Sequence, residues 1–512
     1  MNWDEVCDVL VAGSGGGGVT GAYTAAREGL NVVLVEATDK FGGTTAYSGG
    51  GGMWFPCNPV LLRAGADDTI DDALEYYHAV VGDRTPRELQ DTYVRGGAPL
   101  IEYLEADANL KFSALPWPDY FGKAPKARAD GQRHIAARPL AVAKAPHLRE
   151  LVRGPLDADR LGAEQPGDYF VGGRALIARF LKAIEQYSDA SLQLDTAVVE
   201  LVRDGARVTG AVVESKGRRR TIQARRGVLL ATGGFEGNAA MRQRYGVPGD
   251  VADTMGPWGN LGKAHEAAIA IGADIDLMDQ AWWSPGLTHP DGRSAFALWF
   301  TGGIFVDQNG QRFVNESAAY DRIGRAILPR LADGSMTLPY WMIYDDRDGL
   351  VPPVKATNVS MVEPQRYVDA GLWHSADTLA ELAAKIGVPA DNLHETVSRF
   401  NEFAATGVDA EFGRGDEAYD RAFSGGASPL VAIEKAPFHA AAFGISDLGT
   451  KGGLRTDTAA RVLDTSGTVI DGLYAAGNTM AAPSGTAYPG GGNPIGTSML
   501  FSHLAVKDML AR

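Results

Sequence analysis

Two cysteines, Cys7 and Cys57, are all the thiol this 512-residue chain carries, and no CxxC pair occurs. A disulfide scaffold, a zinc site and an iron–sulfur cluster are therefore unsupported. The plain reading is two packed thiols in a reducing cytoplasm, with no metal site. Basic charge is scarce as well: 48 Lys and Arg stand against 63 Asp and Glu, a formal net charge of −15. A general nucleic-acid binder needs a basic face, so no nucleic-acid partner is expected. Long apolar runs are missing too; no window approaches the roughly 20 residues of a membrane span. The opening Met1-Asn2-Trp3-Asp4-Glu5 carries no basic leader or cleavage site, so the expected location is cytoplasmic.

What is present is a globular composition, 45% hydrophobic and 22% charged, long enough for two or three compact units. The 64 glycines are bunched at a few places. The first bunch follows a short apolar strand, Asp8 to Ala12, and reads Gly13-Ser14-Gly15-Gly16-Gly17-Gly18. It fits G-x-G-x-x-G and leads into a helix over 19–29 with small residues at Ala22, Ala25 and Ala26. A second apolar strand, Asn31 to Val35, ends at Glu36, near the interval of about 20 residues at which such sites place a ribose-binding acid. Gly13 permits the tight turn, Gly15 lets a pyrophosphate approach the backbone, and Gly18 lets helix and strand pack closely. The helix N-terminus offers free N–H groups and a positive dipole to phosphates.

The fingerprint does not separate NAD from FAD. A second glycine- and hydroxyl-rich loop just after Glu36 does: Gly42-Gly43-Thr44-Thr45, then Ser48-Gly49-Gly50. Such a loop can wrap a longer ligand along its diphosphate and ribityl chain, which favours FAD. Downstream, residues 192–202 and 206–214 flank an Asp204-Gly205 turn and read as a hairpin. A third run ends in Gly233-Gly234-Phe235, giving a small three-stranded meander that returns to the main sheet. A late strand ends at Gly477-Asn478. The expected fold class is α/β: a Rossmann-like FAD-binding domain, with a parallel sheet plus a small β-meander, over 1–279 and 450–512. An inserted α+β catalytic domain over 280–449 caps it. The insert holds aromatic clusters (Trp282, Trp283, Trp299, Phe300, Trp341) and a helical stretch over 376–403. A basic stretch from Lys123 to Arg153, broken by Pro125, Pro139 and Pro146, reads as a solvated surface excursion; peripheral contact with an anionic membrane is the sharper alternative.

Gly13–Gly18, Glu36, Gly42-Gly43-Thr44-Thr45, Ala231-Thr232-Gly233-Gly234-Phe235 and Ala476-Gly477-Asn478 together resemble the fumarate reductase/succinate dehydrogenase flavoprotein superfamily. Within it the chain looks like a 3-ketosteroid Δ1-dehydrogenase. Where fumarate reductases carry an arginine proton donor after the segment Gly303 to Ser317, this chain has Tyr320. Where they carry a His and an Arg around a carboxylate, it has Pro483 to Asn493, with Tyr488 in the arginine's place. Phenols replace the cations a dicarboxylate needs, which argues against fumarate or succinate.

The resemblance implies that Tyr488 and the Gly492 N–H hold the C3 carbonyl of a 3-ketosteroid. Tyr320 takes the C2 proton with Tyr120 bonded to it, and the flavin takes the C1 hydride. It extends the FAD contacts to Val198, Asn493, Pro494 and Ile495. Members that tether FAD use a histidine where this chain has Gly43, so non-covalent FAD is expected. The resemblance also implies a diffusible electron acceptor such as a quinone. Arg325 and Lys451 are candidates for a place near the cleft, with a structural role the preferred reading. A Δ4-type ketosteroid dehydrogenase or another flavin-dependent enone oxidoreductase is the alternative, since all of these need carbonyl donors and a proton-transfer phenol.

Overall fold

A computed structural model describes residues 2–163 and 167–512. Two β-sheets organise it. The first is built on Glu5–Ala12, whose buried face runs Val9, Leu10, Val11 and Ala12 without interruption, as a strand covered on both sides must. It pairs in parallel with Val32–Val35 on one side (Val9 opposite Val32) and with Arg218–Leu230 on the other (Leu10 opposite Val228). Ala190–Gln193 extends one edge in parallel, and Val469–Ala475 the other. Ala197–Asp204 and Arg207–Ser215 form an antiparallel hairpin that leads into Arg218–Leu230. The architecture is thus α/β, a Rossmann-like parallel sheet with a small meander. The run expected over 192–202 splits into two strands: its first residues join the parallel sheet and its later ones the meander.

The second sheet has seven strands, all paired antiparallel. Its spine is Phe438–Thr450, which pairs with Ala281–Thr288, Tyr340–Asp345 and Trp373–Ala376. Trp283 and Phe300 fill one of its cores and Trp341 another. The helical stretch expected over 376–403 is two helices, Leu379–Ile386 and Ala390–Thr406. Gly387 takes a left-handed conformation (φ +74°) and Pro389 caps the second helix, so the break is written in backbone chemistry.

The basic stretch is an irregular, partly exposed excursion over 123–132 but not beyond it. It contributes the strand His134–Ala137 to a small sheet with Gly52–Trp54 and Phe112–Ala114. Arg133 and Arg153 are buried, while Lys123, Lys126 and Arg128 pair with Asp416, Asp72 and Asp67. Among the described residues, no helix is long and apolar enough to cross a membrane.

Candidate active site

One long cleft runs between the sheets, and two helix N-termini open onto it. The helix Gly16–Arg27 follows Gly13, whose φ of +96° and contact with Ala231 leave no room for a side chain: a Cβ would stand 2.2 Å from that carbonyl oxygen. The helix Asn493–Ala511 follows Gly492, at φ +81°. The two helices pack on each other. A Cβ at Gly17 would meet Ser498 O at 2.9 Å, which explains a glycine at a position the fingerprint leaves free. The first N–H of each helix is taken, that of Gly16 by Thr45 Oγ1 and that of Asn493 by Gly490 O; the other first-turn N–H groups have no intrahelical acceptor and remain available to an anion.

Around these termini the loops are tied by side chains. Ser14 donates through its N–H (3.1 Å) and hydroxyl (2.6 Å) to one Glu36 oxygen; Thr38 donates likewise (2.9 and 2.8 Å) to the other. The Gly42 N–H donates to Ser14 Oγ, and the Gly16 N–H to Thr45 Oγ1 at 3.0 Å. Gly13, Ser14, Gly15, Gly17, Glu36, Gly43, Thr44, Thr45, Ser48, Gly49 and Gly50 all line this part of the cleft. So do Val198, Gly233, Gly477, Asn478, Pro494 and Ile495. Three expected residues do not. The space at Gly18 is filled by the Gly13 carbonyl, that at Gly234 by Thr450 and Glu236, and the Asn493 amide turns inward to Tyr77 at 3.4 Å. Asn260 does line the cleft, and sequence reasoning missed it. Its amide bridges Thr44 Oγ1 (3.1 Å) and Glu236 Oε1 (2.5 Å). Burial pushes the Glu236 carboxyl up to about 7. A glycine cradle, two helix N-termini and an acid lining the cleft fit a dinucleotide cofactor.

At the other end of the cleft Tyr120, Tyr320 and Tyr488 converge. Their ring centroids lie 5.4 Å (Tyr120–Tyr320), 5.1 Å (Tyr120–Tyr488) and 5.6 Å (Tyr320–Tyr488) apart, and Gly492 lines the same wall. Each arrives differently. Tyr320 opens the helix Tyr320–Ala332, which follows a segment locked by buried ions. Arg312 grips Glu316 and Asp409, and Arg414 donates to Gly303 O (2.6 Å) and Ser317 Oγ (2.8 Å). Tyr488 sits in the glycine loop before Asn493. Tyr120 comes from the irregular segment before the basic stretch, its N–H on Pro489 O at 3.0 Å.

Burial raises all three phenols. Tyr488 is pushed up to about 12, with the Tyr320 hydroxyl and the Gly492 N–H pulling it down. Tyr320 is held well above the ordinary phenol range, by burial first and then by the flanking phenols. Tyr120 is raised likewise, burial again leading.

Aromatic rings complete the wall. Trp282 packs on Tyr488 (4.8 Å), Phe296 on Tyr320 (4.8 Å) and Trp117 on Trp299 (5.4 Å). Trp299 adopts φ +64°, strained backbone for a bulky residue, and stacks on Phe423 at 4.3 Å. Tyr419 packs on Tyr120 at 5.2 Å as a fourth buried phenol, which no sequence motif marked. Neither Arg325 nor Lys451 faces the cleft. Arg325 pairs with Asp321; Lys451 donates to Ala487 O (2.9 Å) from over the Trp282 ring, and burial holds its ammonium well below the usual range.

Residues 8–495 match the family described as FAD binding domain. A 3-oxosteroid 1-dehydrogenase of Mycolicibacterium smegmatis is 36% identical over 98% of this chain and 97% of its own length. The chain belongs to the 3-oxosteroid 1-dehydrogenase family of FAD-binding flavoproteins. Its cofactor is FAD. A 4-oxocyclohexanecarboxylate 2-dehydrogenase of Sinomonas cyclohexanicum is 34% identical over 97% of this chain and 92% of its own. The crystal structure of a 3-ketosteroid delta1-dehydrogenase from Sterolibacterium denitrificans, in complex with 1,4-androstadiene-3,17-dione, superposes with a TM-score of 0.89 at 31% identity. That match covers 99% of this chain and 100% of the other.

Proposed function

We propose that this protein oxidises the C1–C2 bond of 3-ketosteroids, and that Tyr120, Tyr320, Tyr488 and Gly492 carry the chemistry. The convergence of the three phenols beside Gly492, on an aromatic wall, is the observation that supports it most. Bound FAD supplies the acceptor for the C1 hydride. The chain's own groups do the rest. The Tyr488 hydroxyl and the Gly492 N–H are donors for the C3 carbonyl, and such oxyanion donors stabilise a transition state by about 3 kcal/mol each. Polarising that carbonyl acidifies the C2–H bond, whose proton goes to the Tyr320 oxygen. A free phenol titrates near 10, and burial makes the Tyr320 phenolate still less favourable. A neutral phenol accepts a proton only as it passes its own onward, and Tyr120 is the neighbouring phenol placed to help.

The lining also favours a neutral ketone over an oxo-acid. Its only cation among the described residues is Lys263, which sits beside Asn260 and Gly262 on the cofactor side. A substrate carboxylate would be left unpaired on the aromatic wall. The cleft presents no histidine or cysteine among the described residues, which supports FAD held without a covalent bond. A diffusible acceptor such as a quinone would reoxidise it. Peripheral membrane contact draws little support from the basic stretch, whose charges are met largely within the protein.

Anaerobic titration with 4-androstene-3,17-dione tests the whole reading. Flavin absorbance should bleach as a cross-conjugated dienone appears. Steroid binding without bleaching would defeat it, and a product desaturated at C4 from a saturated 3-ketosteroid would move the reaction to the other side of the carbonyl.

A further inference from the structure

Behind Tyr120 lies a fully buried ion cluster that the reaction does not use. Arg133 clasps Asp68 with two hydrogen bonds (2.7 and 2.9 Å) and reaches Asp119 with a third (2.7 Å). Asp119 also accepts from Trp54 Nε1 (2.8 Å) and the Arg128 N–H (2.9 Å), and it immediately precedes Tyr120. The same guanidinium stands 5.0 Å from the ring of Tyr76, which is itself 0% exposed. The Tyr76 hydroxyl donates to Pro489 O at 2.5 Å and accepts from the Phe121 N–H at 3.3 Å. Pro489 O is thus shared between the Tyr76 hydroxyl and the Tyr120 N–H, at 3.0 Å. Pro489 follows Tyr488, and Phe121 follows Tyr120, so one hydroxyl joins the two loops that carry two of the three phenols.

We propose that Tyr76 is a positioning residue for the reaction: its hydroxyl pins the Tyr120 loop to the Tyr488 loop, and the Asp68–Arg133–Asp119 cluster fixes it in place. Neither loop has regular secondary structure around its tyrosine to set that spacing. Tyr488 keeps other anchors, since the Asn493 N–H bonds Gly490 O (3.1 Å) and Lys451 bonds Ala487 O (2.9 Å). Tyr120 is held as well, by Arg322 on its carbonyl (3.2 Å) and by Glu417 on the Gly122 N–H (2.7 Å). Loss of the Tyr76 hydroxyl therefore leaves each loop its own anchors and loosens the spacing between them, which disturbs proton transfer through Tyr320 and Tyr120 more than the grip of Tyr488 on the carbonyl. Small misplacements of catalytic groups lower rates by up to about 100-fold.

This inference rests on the proposed roles of the phenols, and the test separates the two. In holoenzyme carrying Tyr76→Phe, kcat should fall about tenfold. KM for 4-androstene-3,17-dione should stay within about twofold, the signature of an interaction felt mainly in the transition state. FAD absorbance per chain should be unchanged. Asp119→Asn leaves a single acceptor oxygen where Trp54 and the Arg128 N–H use two, and removes the charge facing Arg133; the same split is expected. A wild-type kcat in Tyr76→Phe would overturn the pin. So would a rise in KM and a loss of FAD in step with kcat, which would mean general loosening. Tyr320→Phe is measured alongside. If it keeps turnover, the reading of the phenols fails; if it is inactive while Tyr76→Phe is normal, only the pin fails.

Discussion

One end of the cleft is lined by glycines at two helix ends, where the proposed cofactor contacts are backbone N–H groups. The other is lined by phenol and indole rings, the proposed substrate contacts, delivered by segments far apart in the chain. The first kind of surface is set by main-chain conformation and has little freedom: at Gly13 a single added carbon would collide with Ala231. The second is set by side chains on a buried frame, where one functional group can be removed while its neighbours stay. Binding and chemistry should therefore fail separately.

Tyr320→Phe gives the sharpest form of that separation. Turnover should drop by about 10³, within the range for loss of a positioned acid–base group, while FAD stays bound; a rate near wild type would remove Tyr320 from the chemistry. Tyr488→Phe should lower kcat by about 10², as loss of one oxyanion donor does, and weaken steroid binding as well; steady-state kinetics reads both. Glu36→Ala tests the other side. FAD retention on gel filtration should weaken by about tenfold, as for one lost charge-assisted hydrogen-bond partner, with turnover per bound FAD unchanged. Full occupancy would mean the acid is dispensable.

The gentlest probe is alkali. The Tyr488 phenol is raised from its ordinary 10 to about 12 in the folded chain. Its contribution to stability is present below pH 10 and is lost as pH rises through 12, because the unfolded chain gives up that proton first. The slope approaches about 1.4 kcal/mol per pH unit for this one phenol. The thiols Cys7 and Cys57, raised by burial from about 9 to about 12 and about 11, begin the same loss earlier; denaturant midpoints should fall more steeply above pH 10, and Tyr488→Phe should flatten that part of the fall.

The cofactor side was legible in the sequence because its determinants are local. Strand, turn, helix and acid follow one another within residues 8–36, and each has a spacing. Gly18 packs closely on Gly13, as its place in the fingerprint implies, while contacts across the fold changed other details: Gly234 and Asn493 turn away from the cleft, and Asn260 enters from a segment with no motif. On the substrate side only resemblance brought Tyr120, Tyr320 and Tyr488 together, since no periodicity links positions so distant. Tyr419 went unread for the same reason, and Trp299 was read only as one of the insert's aromatic residues, without its strained backbone. The basic stretch misled because composition counts charges without seeing partners. Arg133 looks solvated until Asp68 and Asp119 are found around it.

The C-terminal helix Asn493–Ala511 forms a wall of the cleft and packs against the helix Gly16–Arg27 near the other end of the chain. The cradle therefore closes only when segments far apart in the sequence have packed on each other. Its two halves stand or fall with the fold as a whole, and neither is a separable cofactor-binding module.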